Sequence, residues 1–152
     1  MKITTAINIS SKPNEIFPWI DNPDRAMRWQ KGVKKGEIIK ETTEKIGTTF
    51  REELEENGKT LVMYGEITDY VPDKLISFKL ESRIHRVLVN YSVVEITNKS
   101  TVTADSQIKW KFPMNIISLI IKNKIKTNIL RQIKSELLEL KKLCETEQNN
   151  LG

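Results

Sequence analysis

The chain has 152 residues, with 25 Lys plus Arg against 20 Asp plus Glu, one His and one Cys. A domain of this length can bury most of its unfolded surface, so it needs no disulfide or structural metal. One Cys excludes an intramolecular disulfide and one His excludes a His-rich metal site. We therefore expect no metal, no cofactor and a cytoplasmic location.

The chain has no apolar run long enough to cross a membrane. Its first ten residues, MKITTAINIS, alternate apolar with polar side chains and lack the apolar block of a signal peptide. We expect a soluble, unprocessed protein.

The net charge of +5 is divided unevenly along the chain. Residues 1–36 carry 7 basic and 3 acidic side chains, whereas residues 37–82 carry 6 and 11. A basic stretch without acidic residues then contains Lys122, Lys124, Lys126, Arg131 and Lys134. Such a stretch is either a site for lipid or nucleic-acid phosphates or, more commonly, a solvated helix face. Nucleic acid is not expected, because aromatic and basic residues are not interleaved on the predicted strands.

The first third of the sequence predicts one strand and two short helices. Residues 1–9 alternate as a half-buried strand does. A serine N-cap, from Ser10 and Ser11, and Pro13 in the first turn mark a helix, which Pro18 must shorten or kink. Residues 23–33 predict a second short helix that ends near Gly32.

In the middle of the chain, apolar and polar residues alternate with a period of two, which is typical of strands. Candidate strands are Glu37 to Thr43, Thr48 to Glu55, Thr60 to Tyr70, Leu75 to Ser82, Arg86 to Thr97 and Thr101 to Phe112. Short turns, such as Asn57-Gly58, connect them as antiparallel neighbours. With the first strand, they predict a seven-stranded antiparallel meander.

After Pro113 about thirty residues contain no Pro or Gly. Their apolar side chains repeat every three or four residues: Ile117, Ile121, Ile125, Ile129, Ile133, Leu137, Leu140 and Cys144. This predicts one long amphipathic helix laid across the sheet, with Cys144 as a core residue. A coiled coil would show a similar stripe, but the spacing drifts from strict heptads. We predict one domain over residues 1–146 and a disordered tail at 147–152.

An antiparallel sheet curved around a long helix leaves space for a ligand. The strand residues with inward parity that we predict to bind it are Phe50, Met63, Ile67, Phe78, Val89, Tyr91, Ile108 and Trp110, and Ile117, Ile121 and Ile125 face them from the helix. Each of these side chains could equally pack as ordinary core. Gly65 has inward parity too, which permits curvature or close approach of a ligand.

Three polar side chains are candidates for chemistry. Glu52 and His85 have inward parity, where desolvation shifts a pKa, and Tyr91 could donate a hydrogen bond. His85 lies at the start of its strand, however, where side chains are usually solvent-exposed, and the neighbours Arg83 and Arg86 favour its exposure. No nucleophile elbow, phosphate loop, zinc motif or paired carboxylate occurs.

The order strand, two helices, six strands and a long terminal helix resembles the START-like helix-grip superfamily (SRPBCC), in its polyketide cyclase/dehydrase and lipid-transport branch. The resemblance rests on residues 11–29, on IGTTF at 46–50, on GEITDYVPDKLISFKL at 65–80 and on the closing LLELKKLCE. It implies an α+β helix-grip fold with an apolar ligand in a cavity between sheet and terminal helix, and it implies that Trp29 stands near the mouth. Some members of this family catalyse cyclisation or dehydration.

Three functional hypotheses follow. The first is binding or transport of a small hydrophobic molecule such as a lipid, sterol or polyketide. The second is a cyclase/dehydrase-type enzyme that uses Glu52 or His85 as acid or base. The third is a membrane-surface lipid shuttle in which residues 116–121 insert while Lys122, Lys124 and Lys126 contact anionic headgroups. The oligomeric state is not predicted.

Overall fold

The computed structural model describes residues 1–56 and 58–151, which form a seven-stranded antiparallel sheet and four helices. The strands are β1 (Lys2–Ile9), β2 (Val33–Lys40), β3 (Thr49–Glu56), β4 (Lys59–Val71), β5 (Leu75–Glu81), β6 (His85–Ile96) and β7 (Lys99–Trp110). The helices are α1 (Pro13–Asp21), α2 (Pro23–Ala26), α3 (Met114–Ile120) and α4 (Lys122–Leu151). The strand order is β1-β7-β6-β5-β4-β3-β2, and the predicted α+β helix-grip fold is confirmed.

One face of the sheet is buried because alternate residues of its strands are apolar. In β4, Leu61, Met63 and Ile67 are buried with Gly65 between them, while the side chains between them are more exposed. The largest core cluster joins these strands to α1 and to the second half of α4, where Leu137 is fully buried. The sheet and the helices therefore share one hydrophobic core.

The two short helices after β1 begin with local capping contacts. The N-cap of α1 is Lys12 and not a serine as predicted, and the Lys12 backbone N–H donates to Glu15 Oε2 at 3.2 Å. Asn22 caps α2 by accepting from the backbone N–H groups of Asp24 and Arg25 at 3.0 and 3.2 Å. The extended backbone of Asn22 separates α1 from α2.

The C-terminal segment departs from the predicted single helix. Its backbone leaves the helical conformation at Ile121, with φ −112° and ψ 25°, which separates the seven-residue α3 from α4. Leu137, Leu140 and the free Cys144 are buried as predicted. Ile117 and Ile121, assigned to the same buried stripe, are exposed.

Other boundaries also differ. The second strand begins at Val33 instead of Glu37 and ends at Lys40, because its pairing with β3 starts at Val33↔Leu54 and is interrupted twice by register shifts. Helix α4 continues to Leu151, through residues assigned above to a disordered tail. Asn57 and Gly152 lie outside the described residues. Within the part of the chain that the structure describes, no helix combines the length and apolarity needed to cross a bilayer.

Candidate functional site

A cavity of about 160 Å³ lies between the sheet and the segment that runs from the end of α1 to β2. Strands β3 to β6 supply one wall through Phe50, Ile67, Phe78 and Val89, among others. The opposite side is formed by α1, α2 and the residues that follow them, including Met27. The site is thus built by the short helices inserted after β1 and by the face of the sheet opposite them.

Three aromatic rings of the cavity lining and Trp29 behind them form a series of edge-to-face contacts. The ring centroids of Phe50 and Phe78 are 5.8 Å apart, those of Phe78 and Tyr91 are 6.4 Å apart, and those of Tyr91 and Trp29 are 5.7 Å apart. Each of the three contacts is T-shaped, which is a favourable arrangement of ring quadrupoles. These ring contacts form because Phe50, Phe78 and Tyr91 occupy inward positions on β3, β5 and β6.

Gly65 makes room for the first ring of this series. It pairs with Phe50 across β3 and β4, and a Cβ on Gly65 would overlap the Phe50 ring. The missing side chain therefore lets the phenyl ring lie against Gly65. The group that approaches Gly65 is thus Phe50, whereas the sequence predicted sheet curvature or close approach of a ligand at this position.

Glu52 is a carboxyl group in the cavity lining. It is two residues beyond Phe50 on β3 and pairs with Met63 of β4. Desolvation by burial raises the pKa of Glu52 from 4.5 to about 7. No hydrogen bond or ion pair links its side chain to another described residue. Glu52 can therefore give or take a proton near neutral pH, and it is available to a ligand.

Tyr91 shares this cavity with Glu52. Burial is the main cause that raises the pKa of Tyr91 above its ordinary value, and the nearby carboxyls of Glu136 and Glu52 act in the same direction. The side chain of Gln30, another lining residue, opposes this shift. Tyr91 is thus a neutral phenol that can donate a hydrogen bond to a ligand.

Glu136 connects α4 to the loop beside the cavity. Its Oε1 accepts from the Lys31 backbone N–H and from Gln132 Nε2, both at 3.1 Å. Burial raises the pKa of Glu136, and these hydrogen bonds oppose the shift. The contact fixes the loop that carries Gln30 against the terminal helix.

Another polar contact lies at the α1 side. The Tyr70 hydroxyl donates to Asp21 Oδ2 at 2.8 Å, and both residues line the cavity. Burial, followed by this hydrogen bond, raises the pKa of Tyr70 to about 12. The bond joins β4 to the end of α1, and an edge-to-face contact between Tyr70 and Phe17 supports it.

His85 lies away from this group. Its Nδ1 is 2.9 Å from Ser82 Oγ at the turn between β5 and β6, and its ring is tilted against Trp110 with centroids 5.0 Å apart. It is half-buried and does not line the cavity. The structure therefore brings Glu52 and Tyr91 together and leaves His85 elsewhere. No group of three or more His, Cys, Asp or Glu among the described residues is placed to hold a metal ion.

The predicted ligand-binding residues divide into two sets. The cavity lining includes Phe50, Ile67, Phe78, Val89 and Tyr91. It does not include Trp29, Met63, Ile108, Trp110, Ile117, Ile121 or Ile125. Met63 and Ile108 pack as core, Ile125 and Trp110 are half-buried, and the other two isoleucines are exposed.

Two expectations about the position of the cavity need correction. The lining contains no described residue of α3 or α4, so the cavity is bounded by α1, α2 and the following loop instead of the terminal helix. Trp29 is not at the mouth: it is 1% exposed, and its Nε1 donates to the Trp19 backbone carbonyl at 2.8 Å. Its ring packs against Tyr91 on the side away from the cavity.

Several residues that complete the cavity were not predicted from the sequence. These are chiefly Asp21, Met27, Gln30, Val33, Glu37, Ile38 and Tyr70. The break at Asn22-Pro23 signalled a change of direction but not which strand the next residues would face. The run VKKGEIIK in β2 has no strict alternation, so parity could not indicate an inward side.

The three lysines predicted to contact a membrane begin α4. Lys122, Lys124 and Lys126 are all exposed. None of them forms an ion pair with another residue in the described ranges. The apolar residues before them, in α3, are exposed as well.

The chain belongs to the family described as "Polyketide cyclase / dehydrase and lipid transport", whose model matches residues 1–145. The resemblance seen in the sequence is therefore confirmed, and a protein of this class binds hydrophobic molecules in a START-like fold. A search of curated proteins found no match.

Solved structures show the same fold at low identity. A START superfamily protein from Mycobacterium smegmatis is 12% identical, with a TM-score of 0.79 over 95% of this chain and 97% of the other. The Zhui aromatase/cyclase from a Streptomyces species is 9% identical, with a TM-score of 0.79 over 95% and 93%. A protein from Thermus thermophilus is 12% identical, with a TM-score of 0.79 over 97% and 99%.

Proposed function

We propose that this protein binds a small, mainly apolar ligand in the cavity between the sheet and α1–α2. The observation that carries the proposal is the combination of an open cavity walled by Phe50, Phe78 and Tyr91 with the carboxyl of Glu52 that no described residue engages. Natural ligand sites have this composition: apolar walls and a few placed polar groups.

The volume limits the size of the ligand. The cavity holds about 160 Å³, and an apolar cavity of roughly 150 Å³ accommodates one benzene molecule. One aromatic ring therefore fits inside, and because the cavity is open a second ring can extend from it, whereas a sterol or a long acyl chain is too large. The edge-to-face series of rings favours a planar aromatic ligand, since its edges and faces can join the same pattern.

Two polar groups can orient such a ligand. Tyr91 is a neutral phenol, and Glu52 changes from donor to acceptor as the pH rises through about 7. A ligand hydroxyl would donate to the Glu52 carboxylate at higher pH. We therefore expect phenolic ligands to bind more tightly than hydrocarbons of the same shape.

A titration with 1-naphthol and naphthalene tests this proposal. Quenching or shift of tryptophan fluorescence reports binding, because Trp29 contacts Tyr91. We expect saturable binding of both compounds, with 1-naphthol binding more tightly. Glu52→Gln should reduce the preference for 1-naphthol and leave naphthalene unaffected. Absence of saturable binding to either compound would overturn the proposal.

A pair of valines on one strand supplies a matched control. Val89 lines the cavity, whereas Val94 of the same strand is exposed and outside the lining. Val89→Phe should abolish binding by filling the cavity, and Val94→Phe should not change it. Urea unfolding of both variants distinguishes a filled cavity from a protein that no longer folds. Equal binding by a folded Val89→Phe would place the ligand elsewhere.

The position of Glu52 and Tyr91 in one cavity favours a second candidate function, a dehydration of the cyclase/dehydrase type. With a β-hydroxy ketone, the Glu52 carboxylate would take the proton next to the carbonyl while the Tyr91 hydroxyl donates a hydrogen bond to the ketone oxygen. Protonated Glu52 would then give the proton to the leaving hydroxyl. The C–H and C–O bonds break, a C=C bond forms and water leaves.

An aromatic β-hydroxy ketone tests this reaction, because its conjugated enone product absorbs in the near ultraviolet. We expect turnover that Glu52→Gln abolishes and that His85→Gln leaves unchanged. If the substrate binds in the cavity without any turnover, the binding proposal stands and the enzymatic one is rejected.

A further inference from the structure

Helix α3 exposes its apolar side chains and buries a polar one. Its apolar side chains face outward: Leu119 is 75% exposed and Ile120 is 81% exposed. The one buried residue of the helix is Ser118, whose hydroxyl donates to the Asn115 backbone carbonyl at 3.0 Å. A surface helix in water normally turns its apolar face to the core. The arrangement of α3 therefore indicates that another apolar surface covers it.

The exposed apolar surface extends beyond the helix itself. Phe112, just before α3, is 77% exposed, and Ile116, Ile117 and Ile121 are also exposed. These side chains are adjacent in sequence and lie on one short helix and its flanks. Contiguous apolar patches of this kind mark interaction surfaces, whereas single exposed apolar residues do not.

Unpaired positive charges follow this apolar surface along the chain. From residue 106 to residue 135 the chain contains no Asp or Glu. Lys122, Lys124 and Lys126 follow α3 directly, and Arg131 and Lys134 continue the series on α4. None of the five forms an ion pair with a described residue.

We propose that Phe112, α3 and the first turns of α4 dock onto the surface of an anionic lipid bilayer. Phe112, Leu119 and Ile120 would enter the boundary between headgroups and acyl chains, while the lysines contact the lipid phosphates. Long lysine stems can extend their ammonium groups to the headgroup level from a helix at this depth. The surface is separate from the cavity and does not depend on the function proposed for it.

Charge argues for a bilayer and against a second copy of the chain. In a two-fold symmetric dimer the same patch meets itself. Lys122, Lys124 and Lys126 would then lie close to their own copies with no acidic residue of the patch to neutralise them. An anionic bilayer supplies both the apolar depth and the opposite charge.

Co-sedimentation with vesicles tests the proposal. One set of vesicles contains phosphatidylcholine alone, and the other contains phosphatidylcholine and phosphatidylglycerol in equal parts. We expect the protein to pellet with the anionic vesicles and to remain mostly in solution with the neutral ones. Added salt should weaken the binding, because the headgroup attraction is screened.

Two variants separate the apolar and charged contributions. Lys122→Gln, Lys124→Gln and Lys126→Gln together should lower the partition coefficient on the order of a hundredfold, since each lysine near an anionic surface contributes about fivefold. Leu119→Ala with Ile120→Ala should lower it by a similar factor through lost apolar burial. Both sets are exposed, so folding should survive, and circular dichroism checks this.

A matched control changes the net charge equally at the opposite end of the sheet. Lys12, Lys74 and Lys99 are exposed near the ends of β1, β4 and β6 that lie away from α3. Their triple change to Gln should leave vesicle binding nearly unchanged. The proposal is overturned by equal pelleting with neutral vesicles, by no pelleting at all, or by equal effects of the two lysine sets. It is also overturned if light scattering shows a dimer that Leu119→Ala with Ile120→Ala dissociates.

Discussion

The two halves of the C-terminal apolar stripe have the same kind of sequence and opposite surroundings. From Leu137 to Cys144 the stripe packs against β1 and α1 and belongs to the main core. From Ile117 to Ile121 it is exposed, and the helix that carries it breaks before α4 begins. Amphipathic spacing therefore specifies that a helix has an apolar side, but a packing partner decides whether that side is buried.

The two halves also differ in their polar neighbours. The buried half is linked to the loop beside the cavity through Glu136, which the backbone of Lys31 and the side chain of Gln132 satisfy. The exposed half is followed by lysines that form no ion pair within the described residues. The buried half thus supports the loop beside the cavity, and the other half presents an exposed apolar surface.

Truncation of one leucine in each half tests whether the two halves differ in burial. Leu140 is fully buried, so Leu140→Ala should lower the free energy of unfolding by about 2–5 kcal/mol. Leu119 is exposed, so Leu119→Ala should change it by less than about 0.5 kcal/mol. Urea unfolding measures both. Equal losses would mean that α3 packs into the core in solution.

The second prediction compares two neighbouring carboxyls of β3, one in the enclosed region and one outside it. The pKa of Glu52 in the folded protein is about 7, against 4.5 ordinarily. The unfolded chain therefore loses this proton at a lower pH than the folded protein does. Because the folded protein holds the proton more tightly, its free energy of unfolding falls by about 3 kcal/mol as the pH rises from about 4.5 to above 7. Glu52→Gln should remove that loss, so the variant should exceed the original protein in stability only above this window.

Glu53 is the control for this experiment. A hydrogen bond from Arg51 lowers the pKa of Glu53, so its contribution has the opposite sign: it is present above the unfolded-state pKa and is lost as the pH falls. Glu53→Gln should therefore not become more stable than the original protein at high pH. Urea unfolding across the window measures both variants, and identical pH profiles would contradict the burial of Glu52.

The third prediction tests how tightly the enclosed region is packed. A methyl group on Gly65 would overlap the ring of Phe50, so Gly65→Ala should cost about 1–3 kcal/mol of unfolding free energy. In a Phe50→Ala background the same change should cost much less. Thermal or urea unfolding of the original protein, the two single variants and the double variant gives the coupling free energy between Gly65 and Phe50. Additive effects would show that the position of the ring does not depend on Gly65.

The smallest expected effect concerns the bond between β4 and α1. Tyr70→Phe removes the hydroxyl that donates to Asp21 and keeps the ring contact with Phe17. We expect a loss of about 1 kcal/mol in unfolding free energy. Binding of 1-naphthol should weaken only slightly, since Glu52 and Tyr91 remain. A loss as large as that of Leu140→Ala would mean that the hydroxyl fixes α1 as a whole.

Much of the sheet side of the cavity could be predicted from the sequence. Strict alternation in β3, β5 and β6 gave Phe50, Phe78, Val89 and Tyr91 an inward side, and all four line the cavity. The helix side could not be predicted, because Met27 and Gln30 follow a four-residue helix and a turn without periodicity. His85 had inward parity, but the turn with Ser82 holds it against Trp110 instead.

Local periodicity and Gly or Pro breaks in the sequence are sufficient to predict the seven strands, the order of the elements and the amphipathic terminal segment. Tertiary packing is needed to know which part of the stripe is buried, where the cavity lies and which carboxyl is desolvated. These properties depend on contacts between residues far apart in the chain, such as Glu136 with Lys31 and Tyr91 with Trp29. Local patterns carry no information about such distances.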